Sequence, residues 1–155
     1  MKISLISVGG KMPSWVSEGY QEYAKRLPRE LSPQLIDLPL ANRNKNSNIE
    51  KLKLEEGKQI LAALPKGVRM IALDVKGKSL STEGLTEKLK DWQMNGQDVS
   101  IVIGGPDGLS NACLQKAHER WSLSALTLPH PLVRVVLIEQ LYRAWSITQN
   151  HPYHK

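Results

Sequence analysis

The sequence has a single cysteine, Cys113, and no long uninterrupted run of apolar residues. One cysteine excludes a disulfide within the chain and a cysteine-rich zinc site. The longest apolar runs, such as 135–138, are far too short to cross a bilayer, which takes about 20 residues. The opening MKISLISVGG has one lysine and an apolar stretch that Gly9 and Gly10 end, so it predicts a first β-strand rather than a signal peptide. We therefore expect a cytoplasmic protein without a membrane partner.

Positive charge is in excess: 21 Lys and Arg stand against 15 Asp and Glu, which gives +6 at neutral pH. At 155 residues, the chain is expected to form one domain, 1–155, with a core that needs no metal. The excess lies toward the two ends, and all four histidines fall in the last third. A basic surface fits a polyanion such as RNA, and it equally fits the charged face of an ordinary soluble protein.

Short apolar segments alternate with longer segments of helical periodicity. The pattern predicts β-strands or extended segments at 2–8, 34–38, 69–75, 99–103 and 123–128, and helices at 13–27, 49–64, 81–94, 111–120 and 131–149. Strands separated by helices form βαβ units, so the predicted fold class is α/β, with a mostly parallel sheet flanked by helices. In such sheets ligands bind beyond the carboxyl ends of the strands, here the loops that follow 70–74 and 100–104.

A glycine-rich loop, GGPDG at 104–108, follows one of these strands and precedes a helix. Glycines allow a ligand to approach the backbone closely, and the start of the next helix favours anions. The loop matches neither GxGxxG nor a P-loop, because no Lys-Ser or Lys-Thr pair follows. A plain strand-to-helix turn is therefore the favoured interpretation of the loop taken alone.

The segment WSLSALTLPHP at 121–131 carries no charge and consists largely of small and apolar residues. Its backbone groups and apolar side chains suit the recognition of a neutral heterocycle. The competing interpretation is a buried strand, with His130 in a loop between two prolines, and the pattern alone favours this strand.

The last predicted helix, which begins at Pro131 and ends by Asn150, is apolar around much of its circumference. Such a helix is buried on more than one side, which predicts a two-fold homodimer packed through it. Glu139 and Arg143 have the spacing of an ion pair within the helix. Arg134 has no local acidic partner, so it is either a residue at the helix edge with its charge in solvent or an anion clamp.

The chain ends in NHPYHK, at 150–155. Chain ends are commonly disordered. This one nevertheless combines two imidazoles, a phenol and an amine, groups that can stack on a base, contact phosphate and move a proton.

Four segments together resemble a known family: SVGGKMPSWV at 7–16, IVIGGPDGLS at 101–110, WSLSALTLPHPLVRVVLIEQLYRAWSI at 121–147 and the NHPYHK ending. They resemble the small bacterial SPOUT-class methyltransferases of the ribosomal RNA large subunit methyltransferase H family, which modify the N3 nitrogen of a pseudouridine in 23S ribosomal RNA. The resemblance covers essentially the whole chain.

The resemblance implies a SPOUT fold whose C-terminal part forms a deep trefoil knot, a rare topology that the strand and helix pattern does not predict. The knot and the dimer contacts are expected within about 70–155, by that resemblance. It also implies that S-adenosylmethionine, with no metal, binds between three loops. Mapped onto this chain, the cofactor residues are Leu73, Gly104, Leu123, Ser124, Ala125, Leu126, Thr127 and Leu128.

Methylation of an imide nitrogen requires removal of its proton and an in-line methyl donor. We expect Arg134, Tyr153 and His154 to complete the catalytic site, with the tail of one subunit reaching the pocket of the other. His130 is a weaker candidate that shapes the pocket. Truncation after Pro152 is expected to abolish methyl transfer.

The partner implied is a shaped stem-loop of 23S ribosomal RNA within the ribosome. Lys25, Arg26, Arg29 and the loop 43–45 are candidates for contacting it. Two alternatives stay open. One is a related SPOUT methyltransferase that acts on transfer RNA or another ribosomal position, and the other is a non-catalytic RNA-binding assembly factor.

Overall fold

The computed structural model describes residues 1–44 and 46–154. Strands and helices alternate along them. The strands are β1 (Ile3–Val8), β2 (Gln34–Leu38), β3 (Arg69–Ser79), β4 (Val99–Ile103) and β5 (Glu119–Ser122). The helices are α1 (Ser14–Ala24), α2 (Ile49–Ala63), α3 (Thr82–Asn95), α4 (Asn111–Lys116) and α5 (His130–Thr148), followed by a 3-10 turn at Pro152–His154. The predicted α/β class is confirmed.

The strands form one sheet in the order β2-β1-β4-β3-β5, and each neighbouring pair is parallel. The predicted sheet is thus confirmed. The central strands β1 and β4 are buried along their whole length. This burial follows from helices on both faces, since consecutive side chains of a strand point to opposite faces. Leu5 and Ile101 belong to the core cluster that includes residues of α1, α3 and α5, whereas Ile6 and Val102 belong to the cluster that includes residues of α2 and α4.

Side-chain caps fix the starts of three helices. The Asn48 side chain accepts a hydrogen bond from the backbone N–H of Lys51, and Ser81 Oγ accepts one from that of Gly84 at 2.9 Å. Ser110 Oγ accepts a hydrogen bond from the backbone N–H of Cys113. Caps of this kind satisfy backbone donors that have no partner inside the helix. The helix start predicted at Ser81 is confirmed.

The region 111–128 differs from the prediction. Helix α4 ends at Lys116, and β5 follows at Glu119, whereas the periodicity predicted one helix to Arg120. The cause is His118: its backbone N–H donates to the Met70 carbonyl at 2.8 Å, and its Nδ1 accepts from the Met70 N–H at 2.9 Å. These two bonds hold the chain beside β3, so it continues as a strand.

The segment 123–128 is a loop and not the predicted extended strand. Leu126 is 73% exposed, which no buried strand residue would be. Together with the end of β5, this loop closes one side of a cavity at the carboxyl ends of the strands. The trefoil knot implied for about 70–155 stays a prediction.

Candidate active site

A cavity of about 540 Å³ opens where β4 and β5 end, beside the middle of β3. The cavity is lined by Leu73 of β3, which directly follows the residues paired with β4, by Gly104 after β4 and by the loop that follows β5. Strand β3 continues to Ser79, whereas the sequence predicted its end at 75. Of the eight predicted cofactor residues, seven line the cavity: Leu73, Gly104, Leu123, Ser124, Leu126, Thr127 and Leu128. The eighth, Ala125, lies in the same loop without lining it. Two loops and the middle of β3 therefore meet at this cavity, and the assignment of these residues to the cofactor stays a prediction.

The glycine-rich loop folds tightly on itself. The Gly108 N–H donates to the Gly105 carbonyl at 3.0 Å, and Gly108 has a φ of +83°, which favours glycine. A Cβ on Gly104 would lie 2.9 Å from the Gly108 carbonyl carbon. A side chain at position 104 would therefore collide with the backbone of its own loop.

A partly buried network of ion pairs fixes this loop to α2. Glu56 of α2, 3% exposed, accepts hydrogen bonds from the Ala41 N–H at 3.0 Å and from Arg43 Nη1 at 2.8 Å. Arg43 also donates from Nε to Asp107 Oδ2, in the glycine loop, at 3.0 Å. Arg43 thereby joins α2 and the loop that follows β2 to the cavity wall.

His130, the first residue of α5, lines the same cavity. Its Nε2 lies 3.0 Å from where a Cβ on Gly9 would be, so the turn after β1 packs directly on the imidazole. Burial lowers the pKa of His130, and the positive charges of Arg134 and Arg43 lower it further. The imidazole is therefore neutral at pH 7 and has a lone pair available.

Arg134 does not line this cavity. It is 3% exposed and paired with Asp37 at the end of β2, with Nη2 and Oδ1 2.5 Å apart. The sequence showed no local acidic partner because this one lies 97 positions away. The side chain is thus neither at a helix edge with its charge in solvent nor a free clamp: it is a buried cation with one carboxylate.

The tail packs on its own chain, near the end of α5. The Tyr153 hydroxyl donates to Glu139 at 3.1 Å, and its ring lies 4.6 Å from that of Tyr142. The predicted pair of Glu139 and Arg143 is confirmed, at 2.7 Å. His154 Nδ1 is buried without a partner among the described residues. Within one chain, Tyr153 and His154 therefore lie away from the cavity that His130 lines.

The candidate RNA-binding residues are only partly free. Lys25 and Arg26 pair with Glu22, Arg43 is held by Glu56 and Asp107, and Arg29 is exposed. Lys45 lies outside the described residues. In residues 1–44 and 46–154, no helix is long and apolar enough to cross a membrane, and no group of three or more potential metal ligands occurs.

The model of a family described as "Predicted SPOUT methyltransferase" matches residues 1–154. The chain belongs to the SPOUT methyltransferase family. Its relatives include a protein of Saccharophagus degradans, 65% identical over 155 residues, and one of Teredinibacter turnerae, 64% identical over 158 residues. Each match covers 100% of both chains, and both relatives are named ribosomal RNA large subunit methyltransferase H.

The fold recurs in a solved structure of a "probable methylase family protein" from Haemophilus influenzae, with a TM-score of 0.58 and 16% identity. That match covers 96% of this chain and 66% of the other. The chain is therefore a SPOUT methyltransferase by sequence, and its architecture is shared by this more distant structure.

Several residues of this SPOUT methyltransferase site had no signature in the sequence. Asp37 looks like the polar residue of an edge strand, and Glu56 like one of several charges on a solvated helix. Both acquire their role from a partner on a distant segment, so no local spacing predicts them. Asp74 and Val75, which also line the cavity, directly follow the predicted Leu73.

Proposed function

We propose that this SPOUT methyltransferase transfers a methyl group from S-adenosylmethionine to the N3 nitrogen of a pseudouridine in 23S ribosomal RNA. The main support is the cavity beside β3 and at the ends of β4 and β5, which gathers seven of the eight predicted cofactor residues. The names of the full-length relatives support the RNA substrate. In this proposal the substrate is a stem-loop of the assembled ribosome in the bacterial cytoplasm.

The cavity suits S-adenosylmethionine in size and lining. Its 540 Å³ fall inside the usual range of small-molecule sites, about 300–1,000 Å³. Leu73, Leu126 and Leu128 offer apolar surface to the adenine, and the peptide groups of 123–128 offer hydrogen bonds to its edge. The absence of a side chain at Gly104 lets the ligand approach the backbone. When bound, the cofactor supplies an electrophilic methyl group on its sulfonium, a reaction that needs no metal.

The protein has to stabilise the N3 anion of the base and receive the N3 proton. Neutral His130 on the cavity wall can accept a proton at neutral pH. Arg134, one helical turn further along α5, can stabilise negative charge. In the proposal Arg134, Tyr153 and His154 complete the site.

The position of the tail favours a site shared by two subunits. Tyr153 contacts Glu139, nine positions beyond His130, which is about 13 Å along a helix. The tail of one chain is thus held away from its own cavity. A homodimer whose knot and contact region lie within about 70–155 would let the tail of one subunit reach the cavity of the other.

Calorimetric titration with S-adenosylmethionine, followed by methylation of ribosomes and mapping of the product by mass spectrometry, tests the proposal. We expect stoichiometric cofactor binding and one new methyl group on a 23S pseudouridine, which RNA from cells lacking this protein does not carry. RNA binding without cofactor binding would identify an assembly factor instead. Methylation of transfer RNA or of another ribosomal position would identify a different SPOUT specificity. Equal methylation of the isolated stem-loop would contradict the ribosome as substrate.

A further inference from the structure

A second cavity, of about 600 Å³, lies beside the first, near the ends of β1 and β2. It is formed by the turn after β1, the outer side of α1, the end of β2 and one residue of α5. Most of the residues that line it carry polar side chains, and the full set is Gly10, Lys11, Met12, Ser14, Ser17, Glu18, Tyr20, Gln21, Leu35, Asp37 and Arg134. None of these residues was assigned to cofactor binding.

Two buried groups of this lining lack partners among the described residues. Arg134 uses Nη2 for Asp37, but its Nε has no acceptor. Tyr20 is 3% exposed, and its hydroxyl has no partner either. Buried polar groups are nearly always hydrogen-bonded, so two donors without a protein partner, both on residues that line one cavity, are available to a ligand there. Burial raises the pKa of Tyr20 to about 12, so its hydroxyl keeps its proton at neutral pH.

The two cavities share a wall. His130 lines the first cavity and Arg134 the second, and four positions on a helix place both on one face, about 6 Å apart. The turn after β1 continues the wall: Gly9 packs against His130, whereas Gly10 and Met12 line the second cavity. A planar ligand in the second cavity can therefore present one edge toward the first.

The lining favours a base over a phosphate. The carboxylates of Asp37 and Glu18 offset the positive charges of Lys11 and Arg134, so the lining has no net positive charge to hold a phosphate. The Asp37 side chain is 45% exposed, so it can accept a hydrogen bond beyond its pairing with Arg134. Two donors beside one acceptor match a pyrimidine that offers carbonyl oxygens and an N–H group.

We propose that the second cavity binds the base of the target nucleotide, with Tyr20 and Arg134 donating to its carbonyl oxygens and Asp37 accepting from N1–H. This inference rests on the proposed function. Pseudouridine is joined to ribose through carbon, so its N1 carries a hydrogen, whereas N1 of uridine is bonded to ribose and carries none. Asp37 therefore distinguishes pseudouridine from uridine, while N3 faces the cofactor cavity.

The decisive variant is Tyr20→Phe, because it removes an unpartnered hydroxyl and keeps the ring. If the hydroxyl bound no substrate, its loss would leave activity unchanged, and the unfolding midpoint would be equal to that of the wild type or higher. We expect an equal or higher midpoint, unchanged affinity for S-adenosylmethionine, and kcat/KM for pseudouridine-containing ribosomes reduced about tenfold, the loss of one good hydrogen bond. The matched control is Ser7→Ala, since Ser7 Oγ is also buried without a partner but lines neither cavity. It should keep full activity.

A second variant tests discrimination. Asp37→Asn keeps the size of the side chain, and its amide oxygen can still accept from Arg134. We expect the wild-type enzyme to have a higher kcat/KM for ribosomes with pseudouridine at the target than for ribosomes with uridine there. In the variant the ratio of these two kcat/KM values should be about tenfold smaller. The inference would be overturned if Tyr20→Phe kept the wild-type kcat/KM or lost cofactor binding. It would also be overturned if folded Asp37→Asn kept the wild-type preference for pseudouridine. If the wild-type enzyme methylates no ribosomal RNA, the proposed function itself fails, which is a distinct result.

Discussion

At the scale of single residues, Gly104 is the position where the cavity tolerates least change. A Cβ there would lie 2.9 Å from the Gly108 carbonyl carbon and 3.1 Å from its oxygen. Backbone atoms cannot rotate away as a side chain can, so Gly104→Ala must displace the loop. We expect at least tenfold weaker binding of S-adenosylmethionine, measured by calorimetry, which corresponds to about 1.4 kcal/mol.

Gly19→Ala is the matched control, because its Cβ would lie 3.5 Å from Val135, an ordinary contact, within α1. It should stabilise the helix by about 1 kcal/mol and leave cofactor affinity unchanged. Equal cofactor affinity in both variants would contradict the role given to Gly104.

At the scale of elements, Arg43 ties the loop after β2 and helix α2 to the glycine loop. Arg43→Ala removes the link between Glu56 and Asp107, so the cofactor loop loosens. We expect about tenfold weaker cofactor binding, the cost typical of a lost ion-pair contact of this kind. Because two carboxylates already compensate its charge, the salt dependence of RNA binding should stay the same.

Arg29→Ala is the comparison for RNA binding, since Arg29 is exposed. If Arg29 contacts phosphate, its loss reduces the slope of log affinity against log salt by about 1. A reduced slope for Arg43→Ala, with cofactor affinity unchanged, would instead make Arg43 an RNA contact.

The residues that follow Pro152 have a role that is separable from folding. Truncation after Pro152 should abolish methyl transfer to ribosomes and leave the protein folded with its oligomeric state unchanged. The unfolding midpoint should fall, because the contacts of Tyr153 with Glu139 and Tyr142 are lost. Tyr153→Phe is the finer variant: it loses the hydroxyl that donates to Glu139 and keeps the ring on Tyr142. Full activity of the truncated protein would exclude the tail from the site.

The same elements show what the sequence can predict. Strands β2 and β4 match their predicted bounds because their apolar runs are short and clearly ended. Strand β5 was missed because His118 joins it to Met70 of β3 through contacts that no periodicity encodes. Likewise Arg134 and Asp37 meet across 97 positions, so a buried pair had the pattern of an unpaired arginine. Local patterns predict elements, and the sheet decides which distant residues meet.

At the scale of the whole molecule, the surface beside the two cavities favours a second copy of the chain. Trp15 near the start of α1 and Leu132 near the start of α5 are 52% and 38% exposed. These helices pack together. Gly19 of α1 faces Val135 of α5, and each of them is the sixth residue of its helix. The two apolar side chains therefore lie at the same end of the pair, at the edge of the sheet where both cavities open. Contact of this patch with its copy would bring a second tail toward the cavities.

We expect light scattering at micromolar concentration to give twice the 17.4 kDa of one chain. Trp15→Glu together with Leu132→Glu should give a folded monomer, because two charges would have to be buried in an apolar contact. Met94→Glu is the control: Met94 on α3 is 82% exposed, so its change should leave the dimer intact. A monomeric wild-type protein with full methyl transfer would mean that one chain forms the complete site. Loss of activity in the double variant, with cofactor binding retained, is the outcome expected if two chains are needed.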